Sequence, residues 1–238
     1  MDRVDGEMKR RIFVLLLLSI MVISCKKGKI MIYENNIYSI KYDKKSEMLV
    51  QNVNEALMQN FQRVLDFWGF EKLENHVTVT IFSEFDDWKK FYEEKSAAKY
   101  QDYVVGLADG PNVYVLTYDE YKNSQVHKND SLEDFQKIIV HEFVHICHNQ
   151  LLTSRENYSF IMGEGLATYL AGQSYNHDAK IDYPKYTLFS NDIFSLSNDL
   201  YSIAQKIVRE LVEKVPHEKL IEYALDSTKL YNDWDELF

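Results

Sequence analysis

The segment His141-Glu142-Phe143-Val144-His145 constrains this chain more than any other. On a helix of 3.6 residues per turn, side chains four apart stack on one face. Both imidazoles would then reach one tetrahedral Zn²⁺ at about 2.0–2.1 Å. Glu142 would sit beside that face, where a carboxylate can act on a metal-bound water. The helix is itself well signalled. Ser131 with Asp134 resembles a capping box in which Asp replaces Glu. Phe135, Ile138, Ile139, Val140, Val144 and Ile146 follow at mainly helical spacing. Neither Pro nor Gly interrupts from Ser131 to Thr153.

A catalytic zinc takes three protein ligands and keeps a fourth position for water. Glu164 is the candidate third ligand. Eighteen residues separate it from His145, and it lies between Gly163 and Gly165 in an apolar stretch, Ile161 to Ala171, that reads as a helix beginning near Gly163. Its setting suits an inward-pointing carboxylate. Thr168, four residues on, shares its face and is a candidate acceptor for the second N–H of a metal-binding imidazole. Cys147 lies about 200° around the helix from His145 and reads as a small buried residue, not a ligand.

The pattern His141-Glu142-x-x-His145, eighteen residues, then Glu164-Gly165-x-Ala167 resembles the gluzincin metallopeptidases, the clan of thermolysin and the aminopeptidase N-type enzymes. The spacing is that of the aminopeptidase branch, and the chain's size resembles the compact bacterial peptidase domains of that clan. The resemblance implies one Zn²⁺ held by His141, His145 and Glu164, with Glu142 as general base for peptide-bond hydrolysis. It also implies an extended peptide or protein substrate lying on the sheet edge before the zinc helix. Where aminopeptidases carry Gly-Ala-Met-Glu-Asn to grip a free amine, this chain has Gly106-Leu107-Ala108-Asp109-Gly110, which lacks the Glu-Asn pair. Asp109 reads as a turn residue. Tyr201 stands where these enzymes place a catalytic tyrosine that stabilises the oxyanion, although the Lys and Gly that follow it there are absent. Tyr169, five residues past Glu164, points about 140° away around its helix.

The first 25 residues read as a targeting segment. Met8-Lys9-Arg10-Arg11 is a basic start, Ile12 to Ile23 is apolar but for Ser19, and Val22-Ile23-Ser24-Cys25 resembles a bacterial lipobox. Lipidation of Cys25 would tether the domain to a membrane outside the cytoplasm. The acidic Met1–Glu7 makes Met8 an alternative start. With a formal net charge of −10 and no basic stripe, nucleic acid is excluded as a partner. Cys25 apart, only Cys147 remains, so no internal disulfide can form.

Residues 26–35 read as a tether and 36–238 as a single domain. Ile37 to Tyr42 and Val77 to Phe82 read as strands. Ser46 to Phe67 is an amphipathic helix closed by Gly69. Ser83 caps a helix from Glu84 to Lys99. Asp102 to Tyr118 is a hairpin about Asp109-Gly110-Pro111-Asn112, and Tyr118 to Asp130 a connecting loop. Gly172 to Asn198 is irregular, and Tyr201 to Lys214 begins a helical end. His76, His127, His148 and His217 have no ligand spacing and read as surface or helix-end residues. The expected fold is α+β and zincin-like: a small, twisted, mostly antiparallel sheet packed on the zinc helix, with a helical C-terminal subdomain. Two other functions stay open: a zinc-binding surface lipoprotein without turnover, and a structural envelope protein in which the motif is accidental.

Overall fold

The computed structural model describes residues 29–154, 156, 158–175, 179–190, 193 and 200–238. The segment expected to target the chain, Cys25 included, lies outside the described residues. Among the described residues no helix is long and apolar enough to cross a membrane.

The chain begins with a hairpin. Strand β1 (Met31–Glu34) pairs antiparallel with β2 (Tyr38–Tyr42). Asn35 shapes the turn, its side-chain oxygen accepting from the Ile37 and Tyr38 amides at 2.8 and 2.9 Å. Within the tether expected over 26–35, residues Met31–Glu34 are instead a paired strand. Most of β1 is exposed, so it has no buried face to write an apolar alternation into the sequence. A 3₁₀ turn capped by Asp43 leads into α1 (Val50–Trp68), which ends at Gly69 with φ 74°. Strand β3 (Val77–Phe82) and helix α2 (Phe85–Ser96) follow. The Glu84 side chain makes no cap bond to α2, and the Ser83 hydroxyl, expected to cap it, donates instead to Asp43.

Strands β4 (Gly106–Asp109) and β5 (Asn112–Leu116) form the second hairpin. The sheet order is β1-β2-β3-β5-β4. Its outer pairs are antiparallel, while β2–β3 and β3–β5 are parallel. The fold is α+β as expected, but its sheet is mixed and not mostly antiparallel. The reason is α1, which returns the chain to the end of the sheet where β2 began, so β3 must run parallel to β2.

One face of the sheet, with Tyr38, Ile40, Val77, Val79, Val113 and Val115 wholly buried, is covered by helices. Phe61 of α1 lies 6.2 Å from Tyr38 and stacks at 4.6 Å on Phe143 of α4 (Leu132–Leu151). The other face carries Phe82, which meets Trp88 and Phe91 of α2. Short α3 (Tyr118–Asn123) precedes α4. The C-terminal part is helical: α5 (Phe160–Ala171), short α6 (Lys185–Leu188), α7 (Leu200–Lys214), α8 (His217–Leu225) and α9 (Ser227–Leu237). Helix α5 starts three residues earlier than Gly163, the expected start. At Gly165 it comes so close to α7 that a Cβ would lie 2.5 Å from the Ala204 carbonyl oxygen. Thus α4 lies between the sheet and α5, and α7 backs α5.

Candidate metal centre

Helix α4 begins as its sequence says. The Ser131 hydroxyl accepts from the Asp134 amide at 3.2 Å, and the Asp134 carboxylate accepts from the Ser131 amide at 2.9 Å. Two turns on, His141 and His145 point the same way, with their Nε2 atoms 3.0 Å apart. Glu164 reaches them from α5. Its Oε2 is 3.1 Å from His141 Nε2 and its Oε1 3.4 Å from His145 Nε2. These three residues form a group that could hold a metal ion. Ligand atoms around a tetrahedral ion at 2.0–2.1 Å are separated by about 3.3 Å, so the observed separations fit one ion.

The tautomer fits as well. The Gln173 side-chain oxygen lies 2.8 Å from His141 Nδ1 and accepts its proton, which leaves a lone pair on Nε2 for a metal. Gln173 is placed by the end of α5. The chain reverses at Gly172 with φ 67°, and the Gln173 amide reaches back to the Thr168 carbonyl at 3.1 Å. From α7, Gln205 donates to the Gln173 carbonyl at 2.6 Å.

The charges ask for a cation. Burial alone would raise the pKa of Glu164, but the charge and hydrogen bond of the protonated His145 hold it well below the usual carboxylate range. Burial alone would lower the pKa of His145, but the Glu164 charge and hydrogen bond push it up to about 9. Without an ion, a proton on His145 balances the carboxylate; a divalent ion placed among the three would do so without it.

Glu142 is buried beside the ligands. Burial raises its pKa, the two histidines pull it down, Glu164 pushes it up further, and the nearby Ala108 backbone of β4 lowers it a little; the net direction is up. Glycine at 106 is required by this approach: a Cβ there would lie 2.7 Å from Glu142 Oε1 and 2.9 Å from the Ile138 Cγ2 methyl. The general-base candidate is thus packed against the last strand of the sheet.

Tyr201 stacks on Tyr175, with ring centroids 5.7 Å apart, and meets Phe160 edge-on. Burial, and after it the negative charge of Glu164, raises the Tyr201 pKa, so the phenol keeps its proton within electrostatic reach of Glu164 and Glu142. Tyr169 faces elsewhere, against Arg209.

Some expectations are corrected. Thr168 does not serve His141; its hydroxyl donates to the Gly165 carbonyl at 2.9 Å, inside its own helix, and Gln173 is the acceptor. His148 is no surface residue. It is almost fully buried, stacks on Trp68 at 5.0 Å and bonds the Ala224 carbonyl at 2.8 Å. Burial pushes its pKa down to about 4, so it is neutral with the proton on Nε2. Cys147 is buried, as expected, and Asp109 pairs with Lys95 at 2.6 Å. His127 is held by Asp130 at 2.9 Å and stacks on Tyr121.

Sequence reasoning missed Gln173 and Tyr158. A signal existed for Gln173, because glycine just past a helix end aims the following residues back at the helix. Tyr158, whose phenol lies beside Glu164, left only an indirect trace: a glycine inside a helix with no turn to explain it.

No protein-family model matches this chain, and no curated protein matches it.

Proposed function

We propose that this protein is a zinc metallopeptidase of the gluzincin type, anchored outside the cytoplasm through a lipidated Cys25. The observation that carries the proposal is the convergence of His141, His145 and Glu164 from two helices, with Glu142 buried beside them. The two-nitrogen, one-carboxylate donor set suits zinc. When bound, Zn²⁺ would acidify a water and polarise a peptide carbonyl.

The chain's own residues supply the rest. Glu142, whose burial raises its affinity for a proton, takes one from the attacking water and passes it to the leaving amine. Tyr201, held protonated, donates to the developing oxyanion, a contribution of about 3 kcal/mol in comparable sites. Strand β4 closes one side of the sheet order. A peptide added to it would lie over Gly106 and against Glu142, held by main-chain hydrogen bonds. The substrate is accordingly a peptide or protein, and the acidic chain takes no nucleic acid.

The test compares wild type with Glu142→Gln on a peptide library, with zinc content measured in both. Wild type cleaves, and Glu142→Gln retains one zinc per chain but loses cleavage by a factor on the order of 10³. Equal cleavage in both would remove Glu142 from the mechanism. Zinc in both and cleavage in neither would leave the reading as a zinc-binding surface lipoprotein. No zinc in either would make the motif accidental.

A further inference from the structure

We infer that Tyr158 is a positioning residue for the ligand Glu164, holding that carboxylate in place for the metal through its hydroxyl, and that residue 163 is glycine to let it do so. The inference rests on the metal centre proposed above but not on peptide cleavage.

Tyr158 lies just before α5, and its ring crosses the first turn of that helix. A Cβ on Gly163 would lie 2.2 Å from the Tyr158 hydroxyl oxygen, 2.5 Å from Cζ and 2.6 Å from Cε2. Gly163 does not have a positive φ, so no backbone conformation demands glycine there. Glycine inside a helix costs about 1 kcal/mol relative to alanine. What position 163 gains is room for a phenol whose hydroxyl, set against the backbone of that residue, stands beside the carboxylate of the next one.

The phenol is braced from behind. The His148 ring lies 5.7 Å from it, and that imidazole is fixed by its stack on Trp68 and its bond to the Ala224 carbonyl. The hydroxyl can only donate here, because an ionised carboxylate only accepts. A carboxylate left to itself turns about its terminal torsion; one held by a donor presents a fixed lone pair. Partners of this kind typically change metal affinity 10–100-fold when removed. A purely space-filling tyrosine would have its packing reproduced by phenylalanine.

The experiment uses the full chain as Tyr158→Phe. Zn²⁺ affinity is measured by competition with a chromophoric chelator, the visible spectrum is recorded with Co²⁺ in place of Zn²⁺, and the melting temperature of the metal-free form is taken as a control for folding. Tyr158→Phe is expected to raise the Zn²⁺ Kd roughly 10–100-fold and shift the Co²⁺ bands, with the metal-free melting temperature near wild type. Gly163→Ala, which displaces the ring without touching its chemistry, should weaken Zn²⁺ in the same direction. Wild-type Zn²⁺ affinity and an unchanged Co²⁺ spectrum in Tyr158→Phe would overturn the inference while leaving the metal centre intact. A wild-type protein that takes up neither ion would overturn both, and cleavage data have no bearing on either result.

Discussion

Helix α4 carries its own start signal, whereas α5 begins without one. In α4 a reciprocal cap between Ser131 and Asp134 fixes the first turn, and two candidate ligands, His141 and His145, follow at a spacing the helix itself aligns. In α5 the Ser159 side chain makes no cap bond, and among the described contacts the helix is defined by what touches it. Gly165 admits the backbone of α7, Gly163 admits Tyr158, and Arg63 of α1 donates to the Leu170 carbonyl near its end. One ligand helix is specified along the chain and the other across it. The lesson is about fragility: a local device fails locally, while a device shared between elements moves the metal site when it fails.

The largest effect expected from this contrast is at His148, which sits on the self-specified helix but depends on its neighbours. Its folded pKa of about 4 lies below the ordinary 6.5. Between those values the unfolded chain takes up a proton that the native protein refuses, so stability falls as pH drops from about 6.5 to about 4, by up to about 3 kcal/mol. Denaturant titrations of metal-free wild type and His148→Gln across that window should differ in slope. Parallel curves would show that the imidazole titrates freely in the fold.

Next comes Gly165→Ala. Its Cβ would meet the Ala204 carbonyl oxygen at 2.5 Å and a Val208 methyl at 2.6 Å, so α5 and α7 must part. Overpacking of this kind costs about 2 kcal/mol, read as a lower denaturation midpoint, and Zn²⁺ affinity should weaken with it. An unchanged midpoint would mean that α5 is not held by α7.

Gln173→Ala removes the acceptor that selects the His141 tautomer and should raise the Zn²⁺ Kd roughly 10–100-fold with little change in folding. Isothermal titration with Zn²⁺ reads this directly, and wild-type affinity would reassign the acceptor role. The smallest effect is expected from Ser131→Ala, which should cost about 1 kcal/mol in the metal-free protein and leave the Zn²⁺ Kd alone. If it weakened zinc as much as Gly165→Ala, the contrast between the two helices would disappear.

Legibility in the sequence follows the same division. The end of α1 at Gly69, the extent of α4, strand β3 and the turn at Gly110 were readable because periodicity, caps and turn residues act within a few positions, whereas the helix expected from Ser46 begins as a 3₁₀ turn and becomes α1 only at Val50. The pairing of β1 and the parallel joins to β3 were not, since an exposed strand has no buried face to pattern and pairing direction depends on where α1 returns. Glu164 was found from its spacing, while Thr168 was offered as acceptor for one of the two imidazoles because a shared helix face is visible in sequence and a reversal at Gly172 that aims Gln173 is harder to see.

By itself the sequence determined that two imidazoles share one helical face and that a carboxylate follows on a second helix, because helix geometry converts spacing into direction without help from the rest of the chain. Only the tertiary structure decided that Glu164 closes to 3.1 Å of His141, that Gln173 meets the other nitrogen of that imidazole, that Tyr158 crosses the start of α5 at Gly163, and that His148 is buried and neutral. Those outcomes depend on surfaces that meet only after the chain has folded, where a missing Cβ or a fixed imidazole matters more than any local preference.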